Sequence, residues 1–180
     1  YFDAQLGRVL AELDALGLRD NTIIVFWSDH GYHLGEQTLW AKTSNFELDA
    51  RVPLIIAAPG MKRPGVKTDA LAELLDIYPT LVELCRLAPR DDLEGVSLVP
   101  QLKDAWANRE RPAITTHNQG NHGVRSERWR YIHYADGSEE LYDHNLDPHE
   151  WHNLADDAEY AEIVAEMRRA LPKRNAIPVI

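Results

Sequence analysis

The sequence predicts an α/β fold: a mostly parallel sheet packed against helices, followed by a small antiparallel sheet and a closing helix. Helical spacing and unbroken apolar runs alternate over residues 1–103, as expected of helices layered on a covered sheet. Beyond residue 112 the pattern changes to short β-branched and aromatic pieces separated by turns. Residues 156–171 then return to helical spacing.

Each element has a local reason. Phe2, Leu6, Val9, Leu10, Leu13 and Leu16 fall at helical spacing, with Gly17 placed as a C-terminal cap. Arg19, Asp20 and Asn21 make the turn into residues 22–27, a continuous β-branched and aromatic run of the kind found in strands covered on both faces. A polar, glycine-containing loop over residues 28–43 follows. Ser44 and Glu47 then have the spacing of a capping box that opens a short helix.

Residues 53–58 read as a second buried strand, closed by Pro59-Gly60. Asp76 is placed to cap another helix, with Pro79 tolerated in its first turn and Leu81, Val82, Leu84 and Cys85 facing inward. Ser97 is placed to cap a shorter helix over residues 98–103. The polar stretch 104–111 divides the chain into a part at 1–103 and a smaller one at 104–180. Within the second part, residues 113–116, 123–125, 129–134 and 140–142 read as strands, with Asp136-Gly137 as one of the turns. Tyr160, Ile163, Val164 and Met167 share one side of the closing helix.

Composition narrows the partners. Nineteen Lys and Arg against 29 Asp and Glu give a net charge of −10, which argues against non-specific binding to nucleic acid or to an anionic membrane surface. An anionic small substrate remains compatible, because a local pocket can be positive on an acidic protein. No apolar run approaches the ~20 residues of a membrane-spanning helix. The chain opens on Tyr1, inside a helical pattern, and so reads as a piece of something longer whose N-terminus carries no address. Its single cysteine, Cys85, rules out an internal disulfide.

The greasy run at residues 23–27 leads directly to Ser28, Asp29, His30 and Gly31. In open α/β sheets ligands gather outside the carboxyl ends of strands. Asp29 and His30 there offer one carboxylate and one ring nitrogen to a divalent cation, and Gly31 lets the backbone leave the extended conformation. The alternative is a strand end whose aspartate caps the next turn. Taken alone, Lys42 would be an ordinary solvated loop lysine, and Glu36 reads as a hydrogen-bonding partner of loop backbone.

Wider context sharpens this. Ser28-Asp29-His30-Gly31, Leu34-Gly35-Glu36, Trp40-Ala41-Lys42 and Ser44-Asn45-Phe46-Glu47 together resemble the C-terminal metal-binding segment of sulfatases, and within them the iduronate-2-sulfatase branch. The resemblance continues in family order through Arg51-Val52-Pro53-Leu54-Ile55, Asp76-Ile77-Tyr78-Pro79-Thr80-Leu81, Glu140-Leu141-Tyr142-Asp143, Asp147-Pro148 and Glu150-Trp151. It implies that residues 1–103 are the C-terminal part of an alkaline-phosphatase-like α/β/α sandwich and that 104–180 form a small C-terminal α+β subdomain.

It also implies hydrolysis of sulfate esters in a sulfated sugar or related substrate. Asp29 and His30 match two ligands of the active-site metal, calcium first, with magnesium, manganese or zinc as alternatives. Many sulfatases carry Asn at the second position, and His is the variant of the iduronate branch. Lys42 matches the lysine that contacts the sulfate, where a fixed ammonium stabilises developing negative charge. His33, three residues past the metal pair, is placed to face the substrate or to pack the loop. His122 lies with His117, Asn121 and Arg125 in the first turn of the small sheet, where the resemblance implies a substrate contact.

Arg125, Arg128 and Arg130 alternate along a hairpin in the pattern of one solvated face. His144, His149 and His152 fall in a turn-rich segment that looks structural. The formylglycine nucleophile of sulfatases arises in a Cys/Ser-x-Pro-x-Arg signature, and no stretch of this chain matches it. It is expected upstream, together with further metal ligands, so the chain alone is expected to be inactive and to need an N-terminal part. Self-association through the exposed cut surface is a further expectation, and the resemblance suggests a periplasmic, secreted or lysosomal setting. Two other readings stay open: a phosphatase or phosphodiesterase of the same superfamily, and a non-catalytic fragment.

Overall fold

Phe2–Ala15 form the first helix, α1, in a computed structural model that describes residues 1–62 and 64–176. Gly17 closes it at φ +67, with its N–H donating to the Asp14 carbonyl and that of Leu18 to the Leu13 carbonyl. A residue with no Cβ takes this left-handed position without penalty. The chain then runs through β1 (Ile24–Trp27), β2 (His33–Leu34), β3 (Trp40–Ala41), α2 (Glu47–Ala50) and β4 (Leu54–Ala57).

β1 and β4 pair antiparallel, with Ile24 opposite Ala57 and Trp27 opposite Leu54, which corrects the expectation of a parallel sheet for this pair. The long segment 28–53 therefore leaves and re-enters at the same end of the pair. A parallel partner would instead need a crossover to the opposite end. An apolar run reports burial and not strand direction, so the sequence could not separate the two. Nor is the pair fully covered among the described residues: Trp27 and Ile55 are exposed, as are Phe2 and Val9 of α1 and Leu16 just past its end.

α3 (Ile77–Leu84) buries Thr80 and Val82. Cys85 falls just beyond the helix end and is exposed, contrary to the core position expected for it. The carboxylate of Asp76 does not cap α3. It is fully buried and accepts from the Val96 N–H at 2.8 Å, the Glu73 N–H at 2.9 Å and the Arg109 guanidinium. Arg109 also pairs with Glu73, whose other oxygen accepts the Ile114 N–H. α4 (Val99–Lys103) follows, with the Ser97 hydroxyl accepting from Val99 N–H. The polar segment 104–111 is thus tied to α3's entry through a buried arginine.

The remainder is a four-stranded antiparallel meander, β5 (Ala113–Thr116), β6 (His122–Arg125), β7 (Trp129–His133) and β8 (Glu139–Asp143), paired in sequence order. Closing it is α5 (Ala161–Arg168). Alternation along the strands sends side chains to two faces. Val124, Tyr131 and Leu141 pack with Val164 and Met167 of α5. On the other face, Ile132 and Tyr142 pack with Phe46, which belongs to the 28–53 segment. The small sheet is therefore filled between its own helix and the loop that follows β1.

Charge completes that second face. Arg130, 2% exposed, donates to the Asn45 carbonyl at 3.0 Å, pairs with Glu47 and lies 2.8 Å from Glu150, itself buried. Arg125 reaches the same Glu47 oxygen at 3.3 Å. The solvated face expected of Arg125, Arg128 and Arg130 is realised only by Arg128, which is half-exposed and bound to Asp143. Charged residues alternate in the same way whether they meet water or buried acids.

Arg130→Met should cost about 3–5 kcal/mol of stability in denaturant unfolding, because it leaves Glu47 and Glu150 as uncompensated buried acids. Acid titration offers a second check. Burial pushes the Glu47 carboxyl up, but Arg130, helped by Arg125, more than offsets this and holds it below the usual glutamate value. A depressed folded value means stability that is complete above the unfolded glutamate value and lost as pH falls through the lower one. Glu47→Gln should therefore flatten that part of the acid limb in thermal melts recorded against pH.

Candidate active site

β1 delivers Asp29 and His30 to the end of the strand pair, and the 28–53 segment folds back over them. Gly31 makes the return possible: a Cβ there would lie 1.7 Å from the Leu48 carbonyl oxygen. Its N–H donates to the Asp49 carbonyl at 2.8 Å, and that of Tyr32 donates to Leu48 at 3.0 Å. Within the segment, β2 and β3 pair as a short hairpin that places His33 opposite Ala41. Lys42 follows directly.

Three groups named from the sequence converge here. His30 Nε2 lies 3.4 Å from Asp29 Oδ2 and 2.7 Å from Lys42 Nζ. The other ring nitrogen, Nδ1, lies 2.7 Å from the Gly31 carbonyl oxygen. A carbonyl only accepts, so this contact assigns the proton to Nδ1 and leaves the Nε2 lone pair facing Asp29 and Lys42. The Nε2 lone pair accepts from the Lys42 ammonium at present; with the ammonium withdrawn, one carboxylate oxygen and one imidazole lone pair at this separation suit two positions of a divalent ion's coordination shell. They fall short of the six to eight oxygens that calcium takes.

The backbone around Lys42 is strained. Among the described residues, four of the seven non-glycine residues with positive φ are Gln37, Thr38, Ala41 and Thr43. Ala41 at +75 and Thr43 at +100 flank the lysine, and a β-branched residue in that region costs roughly 1–3 kcal/mol. Glu36 steadies the hairpin as expected. Its carboxylate accepts from the Leu34 N–H at 2.7 Å, which holds the group below its ordinary value.

The two remaining sequence candidates are not beside these three. His33 is 1% exposed, with Nε2 3.2 Å from Ser44 Oγ and 3.6 Å from Asp49 Oδ2, and its ring edge-on to Phe46. The ring is thus packed inside the 28–53 segment. His122 is buried as well. Its Nδ1 lies 2.8 Å from Thr116 Oγ1 and its Nε2 is bound to Asn175 Oδ1, so both nitrogens are engaged. The expected capping box is also replaced. Ser44 N–H and Oγ–H both donate to Asp49 Oδ2 at 2.7 Å, while Glu47 turns to the arginines.

Sequence reasoning did not name Asp49, and it gave Glu47 a capping role and Arg130 a solvated one, because the contacts they make with each other and with Glu150 are long-range. Glu47, His144 and Glu150 have ligand-type atoms within 4.8 Å of one another. Those atoms are already committed. His144 Nε2 donates to Glu150 at 2.8 Å, its Nδ1 accepts from Arg125 at 3.0 Å, and both acids face guanidinium groups. Two acids and two arginines make a neutral cluster, and a cation there would be repelled by both guanidiniums.

Residues 35–176 match the family described as N-sulphoglucosamine sulphohydrolase, C-terminal. A sulfatase of Formosa agariphila is 42% identical over 98% of this chain and 34% of its own length. A solved protein in complex with its substrate D-glucosamine-2-N,6-O-disulfate superposes with a TM-score of 0.85 at 30% identity, covering 93% of this chain and 36% of that one. Phosphonate monoester hydrolase of Agrobacterium radiobacter follows at a TM-score of 0.80 and 31% identity, over 93% and 37%. The chain thus spans little more than a third of its relatives, and its fold is that of the alkaline-phosphatase-like sulfatases. It belongs to the N-sulphoglucosamine sulphohydrolase C-terminal family, the C-terminal portion of a sulfatase.

Proposed function

We propose that the protein hydrolyses sulfate esters of sugars or related small molecules, and that this chain contributes two metal ligands and a sulfate-binding cation to the reaction. The observation that carries this reading is the meeting of Asp29 Oδ2, His30 Nε2 and Lys42 Nζ at one point. A divalent metal, calcium first and with magnesium, manganese or zinc as alternatives, would supply Lewis-acid polarisation of a sulfate oxygen when bound. Asp29 and His30 would hold it, with His30 oriented by the Gly31 carbonyl, once the Lys42 ammonium leaves Nε2 for the sulfate. Lys42 would meet a second sulfate oxygen and offset charge as the S–O bond breaks.

The nucleophile, a formylglycine, is assigned to the part of the protein preceding this chain, as are the remaining metal ligands. That part would also cover exposed apolar side chains such as Phe2, Val9, Leu16, Trp27 and Ile55. Left uncovered, they would favour self-association, and the chain alone would be inactive. The histidine at position 30 favours the iduronate-2-sulfatase branch. A periplasmic, secreted or lysosomal setting accords with the family, and no helix among the described residues is long and apolar enough to cross a membrane. The division at 104–111 into a catalytic part and a C-terminal subdomain belongs to the same reading.

A second reading, hydrolysis of phosphate or phosphonate esters, is favoured by the likeness to the Agrobacterium hydrolase. Lys42 and the tail from Tyr142-Asp143 to Glu150-Trp151 favour sulfate. In the full-length protein, Lys42→Ala and Asp29→Ala should each lower turnover of 4-nitrophenyl sulfate by about 10²–10³-fold, with unchanged circular dichroism. Near-native turnover in either variant rejects its role, and turnover of 4-nitrophenyl phosphate alone would select the second reading. By calorimetric titration, the chain 1–180 should bind calcium weakly or not at all, since two ligands leave most of the shell to water; tight binding would show the site complete without other residues.

A further inference from the structure

We infer that Asp49 is a positioning residue that sets the Lys42 ammonium on His30. The inference rests on the role proposed above for Lys42, which Asp49 does not itself touch. Lys42 is an exposed side chain between two strained residues, Ala41 and Thr43. Left to itself, such a segment would relax to negative φ and swing the lysine elsewhere. What prevents this begins one residue later, where Asp49 Oδ2 accepts from both the N–H and the hydroxyl of Ser44 at 2.7 Å.

The same residue holds the opposite side of the site. Its backbone carbonyl accepts from Gly31 N–H at 2.8 Å, next to His30. Asp49 is 5% exposed, and His33 lies 3.6 Å from the carboxylate oxygen that Ser44 uses. One buried residue thus links the backbone following His30 to the backbone following Lys42, across the 2.7 Å contact between their side chains. The outer anchors are Asn45, held by Arg130, and the Glu47 N–H, which donates to Glu150 at 2.8 Å. They fix α2, while Asp49 transmits that position to the lysine.

The test is a double-mutant cycle on the full-length protein with 4-nitrophenyl sulfate, read together with crystal structures. Asp49→Asn, which keeps the shape and removes the charge, should lower kcat at least tenfold with KM within twofold. In the Lys42→Ala background it should add less than a twofold further loss, because there is no ammonium left to misplace. Equal losses in both backgrounds, or an unchanged kcat in Asp49→Asn, would overturn the inference.

Thr43→Gly releases the strained link while leaving Asp49 in place. It should lower kcat in the same Lys42-dependent way without lowering the thermal midpoint, so the test survives if Asp49→Asn folds poorly. Metal-free structures of either variant should show Nζ moved beyond hydrogen-bonding reach of His30 Nε2, and an intact contact counts against positioning. Should Lys42→Ala itself leave kcat unchanged, the sulfate role of Lys42 fails, and the structural arm alone decides whether Asp49 sets the lysine.

Discussion

A guanidinium buried between two acids, Arg130 between Glu47 and Glu150, fastens the segment after β1 to the small antiparallel sheet. Most of the architecture near the site depends on it. Segment 28–53 has little regular structure of its own: a two-residue ladder, a 3₁₀ turn at Glu36–Thr38 and the single turn of α2. Such a stretch cannot offset its ordering entropy by local hydrogen bonds alone. Phe46 on Ile132 and Tyr142 supplies the apolar part of the anchor, and the ion cluster fixes where along the sheet it sits. The small sheet is accordingly a platform for the site as much as a separate unit.

From that anchor the order runs inward. Arg130 and Glu150 hold Asn45 and Glu47, which hold α2. α2 presents Asp49 to Ser44 and to Gly31, and these flank Lys42 and His30. Every link is short, and three of the donors, those of Gly31, Ser44 and Glu47, are backbone N–H groups, whose directions tolerate little displacement. The positive φ values of Ala41 and Thr43 are the local consequence of this over-determination. Strain persists where the surroundings fix both ends of a short link, and here the link carries the lysine.

How far the sequence revealed this follows the range of each interaction. The strands β5 to β8 lie within one residue of their expected bounds at every end, because period-two alternation and turn residues are local signals. Asp29, His30 and Lys42 were legible as a set through the order of their motifs. That Lys42 meets His30, twelve positions away, was not, since it depends on the fold of the intervening hairpin. The direction of β4 against β1 was hidden for the same reason. Ser44 and Glu47 had the letters of a capping box, but Asp49 competed for the serine and two arginines for the glutamate. Cys85 followed an inward helical pattern and falls one residue past the helix, where the pattern no longer holds.

Exposure is what gives this site its remaining requirement. The Asp29 side chain is 78% exposed, and Lys42 is also open to solvent. In water two unit charges 4 Å apart interact by only about 1 kcal/mol, and by about 4 kcal/mol where the effective dielectric is near 20. On the proposed reading, the groups here fix geometry, while the strength of their electrostatic effect depends on a wall that excludes water. A lysine held rigidly but wet would bind sulfate weakly and accelerate little. The same lysine under a cover would do both, which is why its aim must already be set by the neutral, buried cluster behind it rather than by the substrate.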